Sequence, residues 1–225
     1  MYYKIRDDVL FRKYQGHGYI TDNSEYGYRM LNDNRPYLGE KYVSASGGIM
    51  LSMLNKFPRS IDDVVGELSQ TFVGVEYETL KQDTAEFFDL FVNEGFLSRG
   101  ETIDACTDRL WVGTPKLGDG NQIHDGIVTN DCPGGEISPH EFLRSIHIEI
   151  ADACNERCIH CYIPNEHKNN VIDSALFYRI IEEGRKMNII HVTLSGGEPL
   201  LHKDILGFLK RCRELELSVN VLSNL

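Results

Sequence analysis

The sequence lacks three things: a long hydrophobic run, an excess of basic residues and any repeated or low-complexity tract. No apolar stretch approaches the ~18–20 residues that span a bilayer, and residues 1–4 do not open a signal peptide. We therefore expect a cytoplasmic protein with no membrane partner. The 34 acidic residues outnumber the 23 basic ones, for a formal net charge of −11. Nucleic acid is disfavoured as a partner, because proteins bind its phosphates through basic patches.

What the chain does have is room for a core and a clustered set of cysteines. Its 225 residues suffice for one large domain or two small ones. Three of the six cysteines lie in one short loop of a chain without a leader. This pattern favours metal ligation in a reducing compartment over disulfides.

The clustered cysteines are Cys154, Cys158 and Cys161, spaced C-x3-C-x2-C directly after an apolar, strand-like run at residues 146–150. The spacing differs from the paired C-x2-C of a zinc ribbon. Three thiolates on one loop can hold three corners of a cubane iron–sulfur cluster and leave the fourth iron open. A second strand-like run ends in the sequence LSGGEP at residues 194–199.

These two stretches, in this order and spacing, resemble those of the radical SAM superfamily. The resemblance implies a [4Fe-4S] cluster on the three cysteines and S-adenosylmethionine (SAM) bound to the open iron through its amino and carboxylate groups. It implies reductive cleavage of SAM to a 5′-deoxyadenosyl radical. The resemblance also implies which residues contact the cofactor. His160 matches the position beside the adenine. The other matching positions are the glycine turn with its acidic neighbour, Gly196, Gly197 and Glu198, and the residues after the third strand, Ser223 and Asn224.

The catalytic part, residues 145–225, is predicted to have an α/β fold. Strands are expected at residues 146–151, 189–195 and 218–222, with helices after Asp173, a good N-cap, and at residues 203–215. A βαβαβ order predicts parallel strands. Both motifs then lie at the carboxyl ends of adjacent strands, where α/β barrels place their active sites. Cys212 is expected in the core.

The superfamily's core is a partial barrel of six strands, whereas this chain stops at Leu225, after the third. The resemblance therefore predicts the first half of a radical SAM barrel in a truncated product of a longer SPASM-type enzyme. Alone, such a piece is expected to be inactive.

Residues 1–100 are predicted to form a small α+β, winged-helix-like domain. A hairpin is expected at residues 9–14 and 19–21, and a third strand at 41–43. Apolar residues at helical spacing then predict three helices. The first ends at Pro58, the second is capped at Ser60 and the third ends at Gly95. The third helix carries no basic stripe, which argues against DNA binding. From residue 43 to 97 the pattern resembles the PqqD-like domain, or RiPP recognition element. In that family, the leader of a precursor peptide adds a strand to the small sheet.

Residues 101–144 are glycine-rich and aperiodic, which predicts a linker between domains. Trp111 is expected to anchor it. Cys106 and Cys132 are interpreted as free thiols, since two isolated cysteines are too few for an auxiliary cluster.

The leading hypothesis is a radical SAM maturase that crosslinks or epimerises a ribosomally made peptide, with a ferredoxin or flavodoxin as electron donor. One alternative is a catalytically silent fragment that binds the leader peptide. Another is a radical SAM enzyme acting on a non-peptide substrate. A last alternative is a zinc site formed by the three cysteines with His160 or a water, which leaves the glycine turn unexplained.

Overall fold

The computed structural model describes residues 1–23, 28–29, 38–108, 143–163 and 170–224. The chain divides into two compact units, residues 1–136 and 137–225. The division falls within the predicted linker. Trp111 and Cys132 lie outside the described residues. No helix in the described ranges is both long enough and apolar enough to cross a membrane.

The described residues of the first unit include the strands β1 (Tyr2–Ile5), β2 (Leu10–Lys13), β3 (His17–Thr21), β4 (Glu40–Ser44), β5 (Arg59–Ser60) and β6 (Leu97–Gly100). These strands form two antiparallel sheets. The first has the order β2-β3-β4 and the second the order β5-β1-β6. The first sheet is the predicted hairpin with its third strand. The second sheet was not predicted, because β1 finds its partners about 55 to 100 residues along the chain.

Three helices complete this unit: α1 (Ala45–Ser52), α2 (Ile61–Leu68) and α3 (Tyr77–Glu94). Ser60 caps α2 as predicted, since its hydroxyl accepts a hydrogen bond from the Asp63 N–H at 3.1 Å. Gly95 ends α3 in the left-handed conformation, with φ of 94°. The predicted bounds of the first helix were wrong. The helix ends at Ser52 rather than at Pro58, and Phe57, which the predicted stripe would include, is 77% exposed.

The start of the predicted linker packs against the first unit. Cys106 is buried, and its thiol contacts the Ser98 carbonyl at 3.5 Å. The Asp108 carboxylate accepts hydrogen bonds from the Asp7 N–H at 2.7 Å and the Ser98 hydroxyl at 3.0 Å, and it pairs with Lys4 at 3.0 Å. Residues 101–108 are therefore structurally part of the N-terminal unit.

The second unit is a parallel sheet with helical crossovers, as predicted. Its elements are β7 (Ser145–Ala151), α4 (Ser174–Lys186), β8 (His191–Gly196), a short 3-10 helix (Pro199–Leu201), α5 (Ile205–Glu214) and β9 (Ser218–Val221). The strand order is β7-β8-β9, and both pairings are parallel. Asp173 caps α4, because its carboxylate accepts from the Leu176 N–H at 3.1 Å.

One face of this sheet forms the core. Isoleucines 148 and 150 of β7 and apolar residues of β8 pack against both helices, where Phe177 and Phe208 stack with ring centroids 3.8 Å apart. Each buried side chain of this size contributes roughly 1.5–3 kcal/mol. Cys212 is fully buried in this core, as predicted. The opposite face carries polar side chains, because residues alternate between the two faces along each strand.

Candidate functional site

The three parallel strands end at one edge of the sheet, and a sequence-predicted motif follows each of them. The cysteine loop follows β7, Gly196 ends β8 with Gly197 directly after it, and Ser223 and Asn224 follow β9. Since β8 lies between β7 and β9, its glycine turn is placed beside both other segments.

Backbone and side-chain hydrogen bonds close the base of the cysteine loop. The Asp152 N–H donates to the Asn170 carbonyl at 3.0 Å, and the Asn170 amide donates to the Asp152 carboxylate at 2.7 Å. The Ile172 N–H donates to the Ile150 carbonyl at 2.8 Å. The described part of the loop is thus joined to β7 at both of its ends.

All three loop cysteines are free thiols, but their environments differ. Cys154 is half-buried, whereas Cys158 and Cys161 are exposed. The Cys161 N–H donates to the Cys158 carbonyl at 3.1 Å, which forms a turn. The sulfur of Cys154 accepts from the Glu156 N–H at 3.4 Å and from the Asn224 side-chain amide at 3.5 Å.

The three thiols are a donor set that fits a cubane cluster. Within the described ranges, no group of three His, Cys, Asp or Glu side chains is arranged to hold a metal ion. In a cubane cluster each thiolate binds a different iron, so the three sulfurs need not meet at one point. Two N–H donors directed at one sulfur also suit a sulfur that carries negative charge, as a metal-bound thiolate does.

The glycines of the turn allow it to pack against the end of β7. Gly196 has a φ of 129°, and a Cβ on it would overlap the Ala151 carbonyl oxygen. A Cβ on Gly197 would lie 2.5 Å from the Asp152 carbonyl oxygen and would overlap that of Ala153. In the structure, the absence of a Cβ at both positions allows close approach to the neighbouring backbone. The contact of these glycines with a cofactor, which the family resemblance implies, stays a prediction.

Glu198 connects the glycine turn to the end of β9. Its carboxylate is 2% exposed and accepts from the Leu200 N–H at 2.9 Å, the Ser223 hydroxyl at 3.0 Å and the Asn224 N–H at 2.8 Å. Burial raises the pKa of Glu198, but the hydrogen bonds from Asn224, Leu200 and Ser223 outweigh it and hold the pKa below its ordinary value. Glu198 is therefore an ionised structural link.

The predicted site residues fall into two groups. Gly196, Gly197, Glu198, Ser223 and Asn224 lie together with Cys154 in one hydrogen-bonded or closely packed region. The rest are Cys158, His160 and Cys161 of the loop, which are exposed, as Ser223 and Asn224 also are. Contact of His160 and of the first group with SAM remains a prediction.

Sequence reasoning missed the polar face of the parallel sheet. His147 shares a hydrogen bond with Ser195 on the neighbouring strand, and Glu149 accepts from the Tyr162 hydroxyl at 2.7 Å. Hydrogen bonding to Glu149 raises the pKa of Tyr162. The signal was present in the strict alternation of β7, because parallel strands covered on both faces are usually apolar throughout.

Comparison with known proteins finds similarities within the second unit. Residues 148–225 match the family model of the radical SAM superfamily, whose members use a [4Fe-4S] cluster and SAM. The chain is 31% identical over 78 residues to the PqqA peptide cyclase of Methylobacterium nodulans and 38% identical over 77 residues to the GTP 3′,8-cyclase of Thermodesulfovibrio yellowstonii. These alignments cover 34% and 32% of this chain, and 21% and 24% of those relatives.

A solved structure also aligns with most of the chain. The crystal structure of Streptococcus suis SuiB bound to S-adenosylmethionine aligns over 98% of this chain and 42% of SuiB, with 14% identity and a TM-score of 0.48. A similarity of this size does not by itself establish a shared fold.

Proposed function

We propose that this chain is part of a radical SAM maturase that binds the leader of a ribosomally made precursor peptide and modifies that peptide by a crosslink or an epimerisation. The observation that carries the proposal is the match of residues 148–225 to the radical SAM superfamily, together with a three-cysteine loop packed against a glycine turn. The protein would work in the cytoplasm, with a ferredoxin or flavodoxin as electron donor.

Cys154, Cys158 and Cys161 would hold the cluster. A cluster held there, together with SAM, would supply the radical chemistry that abstracts a hydrogen atom from the substrate. The protein's own contribution is positioning. Gly197 keeps the turn close to β7, and the ionised Glu198 fixes the residues that follow β9. The SAM-contacting groups we propose are His160, the glycine turn with Glu198, and Ser223 with Asn224.

A peptide leader would bind at the edge strand β4 in the N-terminal unit. Among the strands that the structure describes, β4 pairs with β3 alone, and an ion pair between Lys41 and Glu94 ties it to the last turn of α3. Lys41 also lies 5.9 Å from the centre of the Phe91 ring. An edge strand beside a helix is the arrangement that accepts an added strand, because backbone groups give affinity and side chains give selectivity. This supports a PqqD-like role for the unit.

The similarity to PqqA peptide cyclase supports a peptide substrate, since that relative is named for one. The similarity to GTP 3′,8-cyclase is of comparable extent. It favours a second candidate function, a radical SAM enzyme acting on a nucleotide or another non-peptide substrate. The two candidates differ in what the N-terminal unit binds.

Hydrogen–deuterium exchange of the whole chain distinguishes these candidates. The probe is a synthetic peptide with the sequence of the leader of a precursor encoded beside the gene. We expect slower exchange at residues 40–44 on addition of the peptide, and no change at β2, which is the opposite edge of the same sheet and serves as the internal control. If the exchange rates at residues 40–44 and at β2 are the same with and without peptide, leader binding at β4 is contradicted.

A further inference from the structure

Asn224 contacts two other segments of the candidate site at once, the glycine turn and the cysteine loop. Its backbone N–H donates to the Glu198 carboxylate at 2.8 Å. Its side-chain amide donates to the Cys154 sulfur at 3.5 Å and to the Asn155 side-chain oxygen at 3.0 Å. One residue after β9 therefore connects the acidic end of the glycine turn with the first cysteine of the loop, about 70 residues earlier in the chain.

These contacts distinguish Cys154 from the other two loop cysteines. It is half-buried, whereas Cys158 and Cys161 are exposed. Its sulfur accepts hydrogen bonds from two separate segments: the loop's own backbone at Glu156 and the side chain of Asn224. The second donor is itself held in place, because Glu198 is buried and its carboxylate accepts several hydrogen bonds. Asn224 therefore presents its amide to the sulfur from a fixed backbone.

We propose that Asn224 is a positioning residue for the cluster: it fixes Cys154 before metal binds and donates an N–H···S hydrogen bond to that thiolate once the cluster is held. The proposal rests on the cluster-binding function proposed above. It gives Asn224 a role toward a ligand of the cluster, distinct from any contact with SAM.

The hydrogen bond has a defined consequence for electron transfer. Reducing the cluster adds negative charge that is shared with its thiolate ligands. An N–H donor to a ligand sulfur stabilises that added charge, so it raises the reduction potential. Removing the donor should make the cluster harder to reduce.

The first test is a redox titration of the reconstituted full chain, with the reduced cluster followed by electron paramagnetic resonance. Asn224→Ala removes the amide but keeps the backbone bond to Glu198. At the wild-type midpoint potential, we expect the ratio of reduced to oxidised cluster to fall by about threefold, which is the size of one modest hydrogen bond. Asn220→Ala, the same change four residues earlier in β9, is the matched control and should leave the ratio unchanged. An unchanged midpoint in Asn224→Ala would overturn the electronic part of the proposal.

The second test needs no cluster. The apo chain is treated briefly with iodoacetamide, and alkylation of each cysteine is quantified by mass spectrometry. In the wild-type chain we expect Cys154 to react more slowly than Cys158, because it is half-buried. In Asn224→Ala we expect Cys154 to react faster than in the wild type while Cys158 keeps its rate. Equal rates for Cys154 in both proteins would overturn the positioning role. If alkylation behaves as expected but the wild-type chain takes up no cluster, the proposed function fails and the positioning role stands.

Discussion

Gly196 and Glu198, two residues apart in the sequence, determine much of the geometry of the candidate site. Gly196 adopts a backbone conformation with φ of 129°, which side chains other than hydrogen rarely permit. It also lies where a Cβ would meet the Ala151 carbonyl oxygen. Glu198 has both of its carboxylate oxygens engaged by the end of β9. Gly196 therefore allows the turn to pack against β7, and Glu198 binds the residues that follow β9 to the turn.

Replacing Gly196 with alanine should destabilise the second unit. Backbone strain at a position of this kind costs on the order of 1–3 kcal/mol, and the overlap with the Ala151 carbonyl adds to it. The free energy of unfolding, measured by urea denaturation, should fall accordingly. Gly66→Ala is the control: Gly66 lies in α2 and has no atoms near its missing Cβ, so that change should stabilise the chain by about 0.5–1 kcal/mol. Equal effects of the two substitutions would contradict this interpretation of the turn.

Replacing Glu198 with glutamine should lower stability at neutral pH by about 1.5–3 kcal/mol, because the donors lose a charged acceptor and the new amide group faces them. The pKa of Glu198 lies below its ordinary value. The stability that it contributes is therefore present above the pKa of an unfolded glutamate, about 4.3, and is lost as pH falls through the lower folded pKa. The difference between wild type and variant should shrink in acid.

The control for this change is Glu183→Gln, which removes an exposed charge that pairs with Lys186 at 2.7 Å. A surface pair of this kind contributes about 0–1 kcal/mol. Urea denaturation at pH 7 and at pH 3.5 would check both variants. A Glu198→Gln deficit that is the same at both pH values would show that the carboxylate charge is not what stabilises the turn.

At the scale of elements, hydrophobic periodicity and capping residues predicted most of the second unit. The hydrophobic pattern of each strand and helix in that unit is visible in its own stretch of sequence, and Asp173 marks the start of α4. In the first unit, β1 could not be predicted, because residues 2–5 form a strand only when β5 and β6 are present beside them. The first turn of helix α1 contains a glycine pair of low helix propensity, Gly47 and Gly48, and a Cβ on Gly48 would lie 2.9 Å from the Gly18 nitrogen.

The motifs of the candidate site could be predicted from the sequence, but the hydrogen bonds that join them could not. The spacing of the cysteines and the glycine turn is visible in the sequence. The bond from Asn224 to Cys154 joins residues about 70 positions apart, so it exists only once the three strands are aligned. The same holds for the pair formed by His147 and Ser195.

Two cysteines outside the loop should be inert in the folded chain. Burial raises the pKa of Cys106 to about 11 and that of Cys212, on α5, to about 12. The thiolate is the reactive form, so both should resist iodoacetamide at pH 8. Cys158 and Cys161 are exposed and serve as the positive control. Mass spectrometry before and after unfolding in urea measures this, and rapid alkylation of Cys212 in the folded chain would contradict its place in the core.

At the scale of the whole molecule, the chain combines two compact units with different tasks in the proposed function. The N-terminal unit offers an edge strand beside a helix, and the second unit offers the cysteine loop and the glycine turn. The chain spans 21% of the PqqA peptide cyclase and 24% of the GTP 3′,8-cyclase that it matches. Turnover and substrate choice are therefore properties to test in the longer protein. The proposed cluster binding depends on Cys154, Cys158 and Cys161, so it can be tested with this chain.

Anaerobic reconstitution of the 225-residue chain with iron and sulfide tests the central claim most directly. The measurement is iron and acid-labile sulfide per chain, with the visible absorbance of the product, for the wild type and for the variant in which Cys154, Cys158 and Cys161 are all alanine. We predict a [4Fe-4S] cluster in the wild type and none in the variant. A wild-type chain that takes up no more iron and sulfide than the variant would contradict the account.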